Sequence, residues 1–173
     1  GVWGMSEAMI KAIETKYKGY RFRSRLEARW AKYFDTLGIE WEYEKEGFDL
    51  GDAGWYLPDF WLPQVNMWAE VKGRAFTVDE VFKCRTLANG SGFGVLMLRD
   101  APDNRWYAGW EPGDRFDYFG VTDYHGYHIS EHRFYGSPGS ATPDDEGVLT
   151  ELAKKAIVAA RSARFEHGER GTR

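Results

Sequence analysis

Three short pieces of this 173-residue chain carry side chains that could act together: Leu57-Pro58-Asp59-Phe60, then Ala69-Glu70-Val71-Lys72-Gly73, with Glu27 on a predicted helix upstream. Side chains on a strand alternate between faces, so Glu70 and Lys72 project together while Val71 projects the other way. An acid at the start of one strand, followed by acid-x-lysine on the next, sets charged groups where a fold normally places apolar ones. Two carboxylates beside an ammonium suit a divalent metal together with a group that holds phosphate or water, the requirements of phosphodiester hydrolysis.

The elements that must position these residues can be read along the chain. Met9, Ile10, Ile13 and Tyr17 stand at helical spacing and predict a short helix over 5–17. After the basic link Lys18-Gly19-Tyr20-Arg21-Phe22-Arg23, Ser24 opens a second helix. Its apolar stripe is Leu26, Trp30, Tyr33, Phe34 and Leu37, and Gly38 ends it. Residues 39–48 alternate Ile39, Trp41 and Tyr43 with Glu40, Glu42 and Glu44, the pattern of a half-buried strand. Residues 49–54 read as a turn, and further strands are predicted over 55–62 and 68–72. Thr77 is the N-cap of a helix over 77–88, with Asp79 and Glu80 at its positive end and Val81, Phe82 and Leu87 inward. The apolar run Val95-Leu96-Met97-Leu98 suits a buried central strand.

Residues 99–141 hold Trp106, Trp110, Phe116, Tyr118 and Phe119 among Gly, Asp and Pro, and predict short strands and loops ending in a linker over 137–141. Thr142-Pro143-Asp144-Asp145-Glu146 is a helix start, and Leu149, Leu152, Ala153, Ala156, Ile157 and Ala160 form the inward face of the helix over 143–165. The whole chain reads as one α/β domain, a mixed central sheet flanked by helices with a helix at the C-terminal end.

Composition sets the outer bounds. With 43% hydrophobic and 17% aromatic residues the chain can fill a core, and eight tryptophans leave some for a binding surface. The formal net charge of −4 announces no nucleic-acid binder. Its distribution is more informative: residues 11–32 carry eight basic against two acidic side chains, and 154–173 carry six against two. Such segments track a phosphate backbone or simply form solvated helix faces. Cys84 is the single cysteine, which excludes an intrachain disulfide and a cysteine-rich zinc module. The absence of a long apolar run or a signal-peptide pattern predicts a soluble, cytoplasmic protein with no membrane partner.

Residues 24–98 resemble the PD-(D/E)xK nuclease superfamily in Ser24-Arg25-Leu26-Glu27-Ala28-Arg29-Trp30, Pro58-Asp59 and Glu70-Val71-Lys72. The order of an arginine-rich helix start, a tryptophan-rich strand, Leu-Pro-Asp-Phe and Glu-Val-Lys-Gly is similar to that in small phage-encoded endonucleases. The tail Ala159-Ala160-Arg161-Ser162-Ala163-Arg164-Phe165-Glu166-His167-Gly168 looks like theirs too. The resemblance implies a restriction-endonuclease-like core that cuts DNA with Mg²⁺ or Mn²⁺, in the host cytoplasm if the protein is phage-encoded. It makes Asp59 and Glu70 metal ligands, Lys72 the base or electrostatic partner of the attacking water, and Glu27 an accessory ligand. Branch-resolving or nicking selectivity is open, and a resolvase would imply a homodimer. The alternatives are an exonuclease on single-stranded DNA, a nucleic-acid-binding module whose nuclease site is vestigial or structural, or an RNA-directed nuclease.

Several of these residues have a second explanation. Glu27 follows Ser24 at capping-box spacing. Asp59 could belong to a proline-aspartate turn, and Glu70 with Lys72 to a surface ion pair. Arg21, Arg23 and Arg25, interleaved with Tyr20 and Phe22, have the pattern of a backbone-gripping and base-stacking segment. Lys83 and Arg85 on the following helix are candidates for phosphate contact. His125, His128 and His132, with Asp123 and Glu131 nearby, have metal-ligand spacing but no helix to make them converge, and are read as surface histidines.

Overall fold

Side chains alternating with a period of two through the middle of the chain build the sheet that carries everything else. The computed structural model describes residues 12–124, 127–132 and 151–165. A hairpin of β1 (Thr15–Tyr17) and β2 (Tyr20–Phe22) precedes α1 (Arg25–Leu37). Then come β3 (Glu42–Tyr43), β4 (Phe48–Asp49), β5 (Trp55–Tyr56), β6 (Phe60–Leu62) and β7 (Met67–Lys72). Helix α2 (Val78–Ser91) leads to β8 (Gly94–Arg99), β9 (Trp106–Glu111), β10 (Arg115–Tyr124) and β11 (Tyr127–His132), and α3 (Glu151–Ser162) closes the order.

The central sheet has seven strands in the order β11-β10-β9-β8-β7-β6-β3. Strands β7 and β8 are parallel, joined by the α2 crossover that parallel neighbours need; the other described pairs are antiparallel. Helices α1 and α3 cover one face over Phe60, Leu62, Ala69, Val71, Leu96 and Leu98. Helix α2 covers the other, its Cys84, Leu87 and Ala88 meeting Trp61, Trp68, Val95 and Met97. Each large side chain buried in these layers contributes about 1.5–3 kcal/mol. The molecule is therefore a mixed α/β fold with a mixed central sheet and a helix near its C-terminal end. Among the described residues no helix is long and apolar enough to cross a membrane.

Several predicted elements differ. The helix expected over 5–17 is a strand at Thr15–Tyr17, paired with β2 through Lys18-Gly19 (residues 5–11 lie outside the described residues). Both turn residues have positive φ, 51° and 81°, the geometry whose twist matches a hairpin. The strand expected over 39–48 is two short strands interrupted at Glu44, where φ is 48°. The strand expected over 55–62 splits because β5 pairs with β4 while β6 joins the central sheet, with Pro58, which has no N–H to donate, between them. Phe82, expected inward, is exposed, since the buried stripe of α2 runs through Cys84, Leu87 and Ala88 and Phe82 lies off it. Leu152 is likewise exposed while Ala153, Ala156 and Ala160 are buried. The aromatic-rich region is more regular than expected, with β10 ten residues long. The linker over 137–141 and the helix start over 142–146 lie outside the described residues.

Candidate active-site cleft

Local rules deliver each charged group to one place. Ser24 caps α1 by accepting from the Glu27 N–H at 3.1 Å, which sets Glu27 in the first turn. One turn on, Trp30 donates Nε1–H to the Asp100 carbonyl at 2.9 Å, and the Asp100 N–H donates to the Lys72 carbonyl at 2.8 Å. That relay ties α1 to the ends of β7 and β8. In the antiparallel ladder Phe60 faces Ala69 and Trp61 faces Trp68, so the next position brings Asp59 opposite Glu70. The ladder ends there because the Asp59 carboxylate, rather than a backbone carbonyl, accepts the Val71 N–H at 2.8 Å.

The result is an open cleft of about 350 Å³ lined by Glu27, Asp59, Glu70, Lys72, Glu80, Arg23, Lys83, Trp55 and Tyr56 among others. Three of its four acids are nearly closed off from solvent, at 7% exposure for Glu27, 8% for Asp59 and 5% for Glu70. Burial, then the neighbouring Glu70 charge, push the Asp59 carboxyl well above the usual range. Burial also raises Glu27, against hydrogen bonds from Tyr43 and Ser24 that favour its charged form. The Tyr43 and Ser24 hydroxyls hold the two Glu27 oxygens, one each.

Lys72 has its Nζ 4.0 Å from Glu70 and 3.4 Å from Glu80. Burial pulls its ammonium down, but Glu70, Asp59 and Glu80 outweigh that and hold it above the ordinary lysine value. Glu80 is pushed down to about 2, mainly by Arg74, which grips both its oxygens at 2.7 and 3.0 Å.

The donor set fits a divalent cation. Two buried carboxylates repelling one another are relieved by a dication, and two hard oxygen donors leave room for the waters and phosphates that Mg²⁺ retains. Both Glu27 oxygens already accept hydrogen bonds, one from Ser24 and one from Tyr43. No ready-made cage of three or more His, Cys, Asp or Glu side chains occurs among the described residues.

The structure brings Glu27, Asp59, Glu70, Lys72, Arg23 and Lys83 to this cleft and leaves other predicted residues elsewhere. Arg85 bonds Asp114 at 2.7 Å and lies over the Trp110 ring, clamping α2 to the β9–β10 turn. Arg21 pairs with Glu14 at 2.8 Å on the outside of the hairpin, and Arg25 is exposed at the start of α1. Arg23 is held by Glu44 at 2.7 Å. His125 and the side chains of Asp123, His128, Glu131 and His132 lie outside what is described.

Sequence reasoning missed Glu80 and Trp55 as cleft residues, and Tyr43 as the hydroxyl that holds Glu27. The Thr77-x-x-Glu80 spacing signals a capping box, and one forms; nothing in it signals the reach to Lys72. Tyr43 sits on a strand alternation that indicates a face, not a partner. Comparison of the chain with protein-family models, with curated proteins and with solved structures returns no match.

Proposed function

We propose that this protein is a divalent-metal-dependent DNA endonuclease with a restriction-endonuclease-like core, hydrolysing phosphodiester bonds in the cleft between α1, β6 and β7. One observation carries the reading: Asp59 and Glu70 are buried side by side in a solvent-open cleft, with the Lys72 ammonium 4.0 Å from Glu70. A fold gains nothing in stability from a buried carboxylate pair, so such a pair marks a site that works on a ligand.

Asp59 and Glu70 would hold Mg²⁺ or Mn²⁺, which when bound supplies Lewis acidity, charge neutralisation and a water of lowered pKa. Asp59 is fixed for this by the Val71 N–H, leaving its second oxygen for the ion. Lys72, kept cationic by three carboxylates, offers positive charge and N–H donors to the phosphate or to the attacking water. Glu80 aims that ammonium, being itself held by Arg74 and the Thr77 N–H at 2.9 Å. Glu27 accepts from Ser24 and Tyr43, which fix its carboxyl in the wall of the cleft near Glu70. DNA is the substrate class that the motif resemblance implies, and a structure-selective role, nicking or resolving branches, accords with the phage-encoded enzymes it resembles.

Supercoiled plasmid, linear duplex, single strand and a four-way junction, each incubated with Mg²⁺ or with EDTA, test the reading. Cleavage that EDTA stops and Glu70→Gln removes is expected. No cleavage of any substrate with Mg²⁺ or Mn²⁺ would overturn it.

A further inference from the structure

Trp55 is out of place by the rules that build the rest of the molecule. It is 66% exposed, although its neighbour Tyr56 on the same strand is buried. The β4–β5 ladder fixes its backbone opposite Asp49, and Phe48 on the partner strand anchors the hairpin by packing edge-on against Trp68. The indole is held by absence as well as by contact. A Cβ on Gly47 would stand 2.2 Å from Trp55 Cζ2 and 2.6 Å from Cη2, so the ring occupies the space that only glycine leaves.

A single exposed aromatic is ordinary. This one lines the same cleft as Asp59, Glu70 and Lys72, and Lys83 of α2 lines it too. A fixed indole and ammonium groups lining one cleft, together with carboxylates suited to a metal, combine the two components of single-strand recognition, a stacking surface and backbone charge. In continuous duplex the bases are stacked on one another and offer no face to such a ring.

We propose that Trp55 is a stacking platform for one unpaired base adjoining the phosphate held at Asp59, Glu70 and Lys72. The cleft then takes DNA with unpaired nucleotides (single strands, flaps, branch points) in preference to continuous duplex. The proposal rests on the nuclease reading for its phosphate, and its test separates the two.

Binding of labelled oligonucleotides, one single strand and one blunt duplex of equal length, is measured in EDTA and in Ca²⁺ so that affinity is read without turnover. Wild-type protein should prefer the single strand. Trp55→Ala should weaken single-strand binding about tenfold, the scale of one base–aromatic stack, and change duplex binding by less than about twofold. Trp55→Phe should restore most of the loss. Gly47→Ala, which keeps the tryptophan and displaces its ring, should reproduce the loss, with circular dichroism confirming an unchanged fold.

Single-strand affinity untouched by Trp55→Ala, or an equal loss on duplex, would overturn the platform even if the protein cuts DNA. Trp55-dependent preference in a protein that never cuts would retain the platform and overturn the nuclease. Self-association abolished by Trp55→Ala with DNA binding intact would overturn the platform in favour of an interface between copies.

Discussion

Asp59 accepts one backbone N–H and otherwise presses against a second carboxylate, so its charged form is the uncomfortable one. The folded state therefore holds its proton to higher pH than the unfolded chain does. Stability from this group is fully present below the unfolded value near ~3.9 and is lost as pH rises towards the raised folded value. In EDTA the melting temperature should fall across that window. Asp59→Asn, which still accepts the Val71 N–H, should flatten the dependence and melt higher at neutral pH, by about 2–4 °C for each kcal/mol relieved. An unchanged pH profile in Asp59→Asn would show that the carboxylate is not under this strain. At the residue scale the sequence was most legible where chemistry demands types at fixed spacing: Glu70 and Lys72 share a face because strands have period two, and the β6–β7 register sets Asp59 opposite Glu70. Glu80 and Tyr43 were not legible, since what they touch is decided by how α2 and β3 pack rather than by anything next to them in sequence.

The cleft needs α1 in register with β7, and that register starts at a cap. Ser24→Ala removes the acceptor for the Glu27 N–H and a donor to the Glu27 carboxylate. Urea denaturation should show a loss of about 0.5–2 kcal/mol, the ordinary worth of an N-cap. No loss would mean that tertiary contacts alone hold the turn. Both long internal helices were legible for the same reason, having a hydroxyl N-cap at Ser24 or Thr77 and, for α1, Gly38 at its end with φ 78°. The short strands were not. Thr15 and Tyr17 are buried with Lys16 exposed, a period of two that three residues are too few to reveal beside the helical spacing of Met9, Ile10 and Ile13. Likewise Trp55 and Phe60 looked like one strand because nothing local says that they pair with different partners.

Over the whole molecule, a net charge of −4 sets the terms on which DNA can approach. Of the predicted phosphate contacts, Arg21, Arg23 and Arg85 are tied to carboxylates, which leaves Lys83 and Arg25, in addition to Lys72 in the cleft, among the described residues. DNA affinity should therefore depend weakly on salt, with a slope of log affinity against log salt of about −3, and a slope near −6 would contradict so small a set of phosphate contacts. Saturating Mn²⁺ should in turn stabilise the wild-type fold: at about a hundred times the dissociation constant the gain is roughly 2.7 kcal/mol. Glu70→Gln should show little of it.

The most direct test of the central claim is the single-turnover cleavage rate of the wild type, Asp59→Asn and Glu70→Gln on the best DNA substrate in Mg²⁺, each variant checked for native circular dichroism. The account predicts that both variants fold normally and lose on the order of a thousandfold in rate, the several kcal/mol that metal-assisted stabilisation supplies. A folded Asp59→Asn or Glu70→Gln protein cutting at the wild-type rate would contradict it.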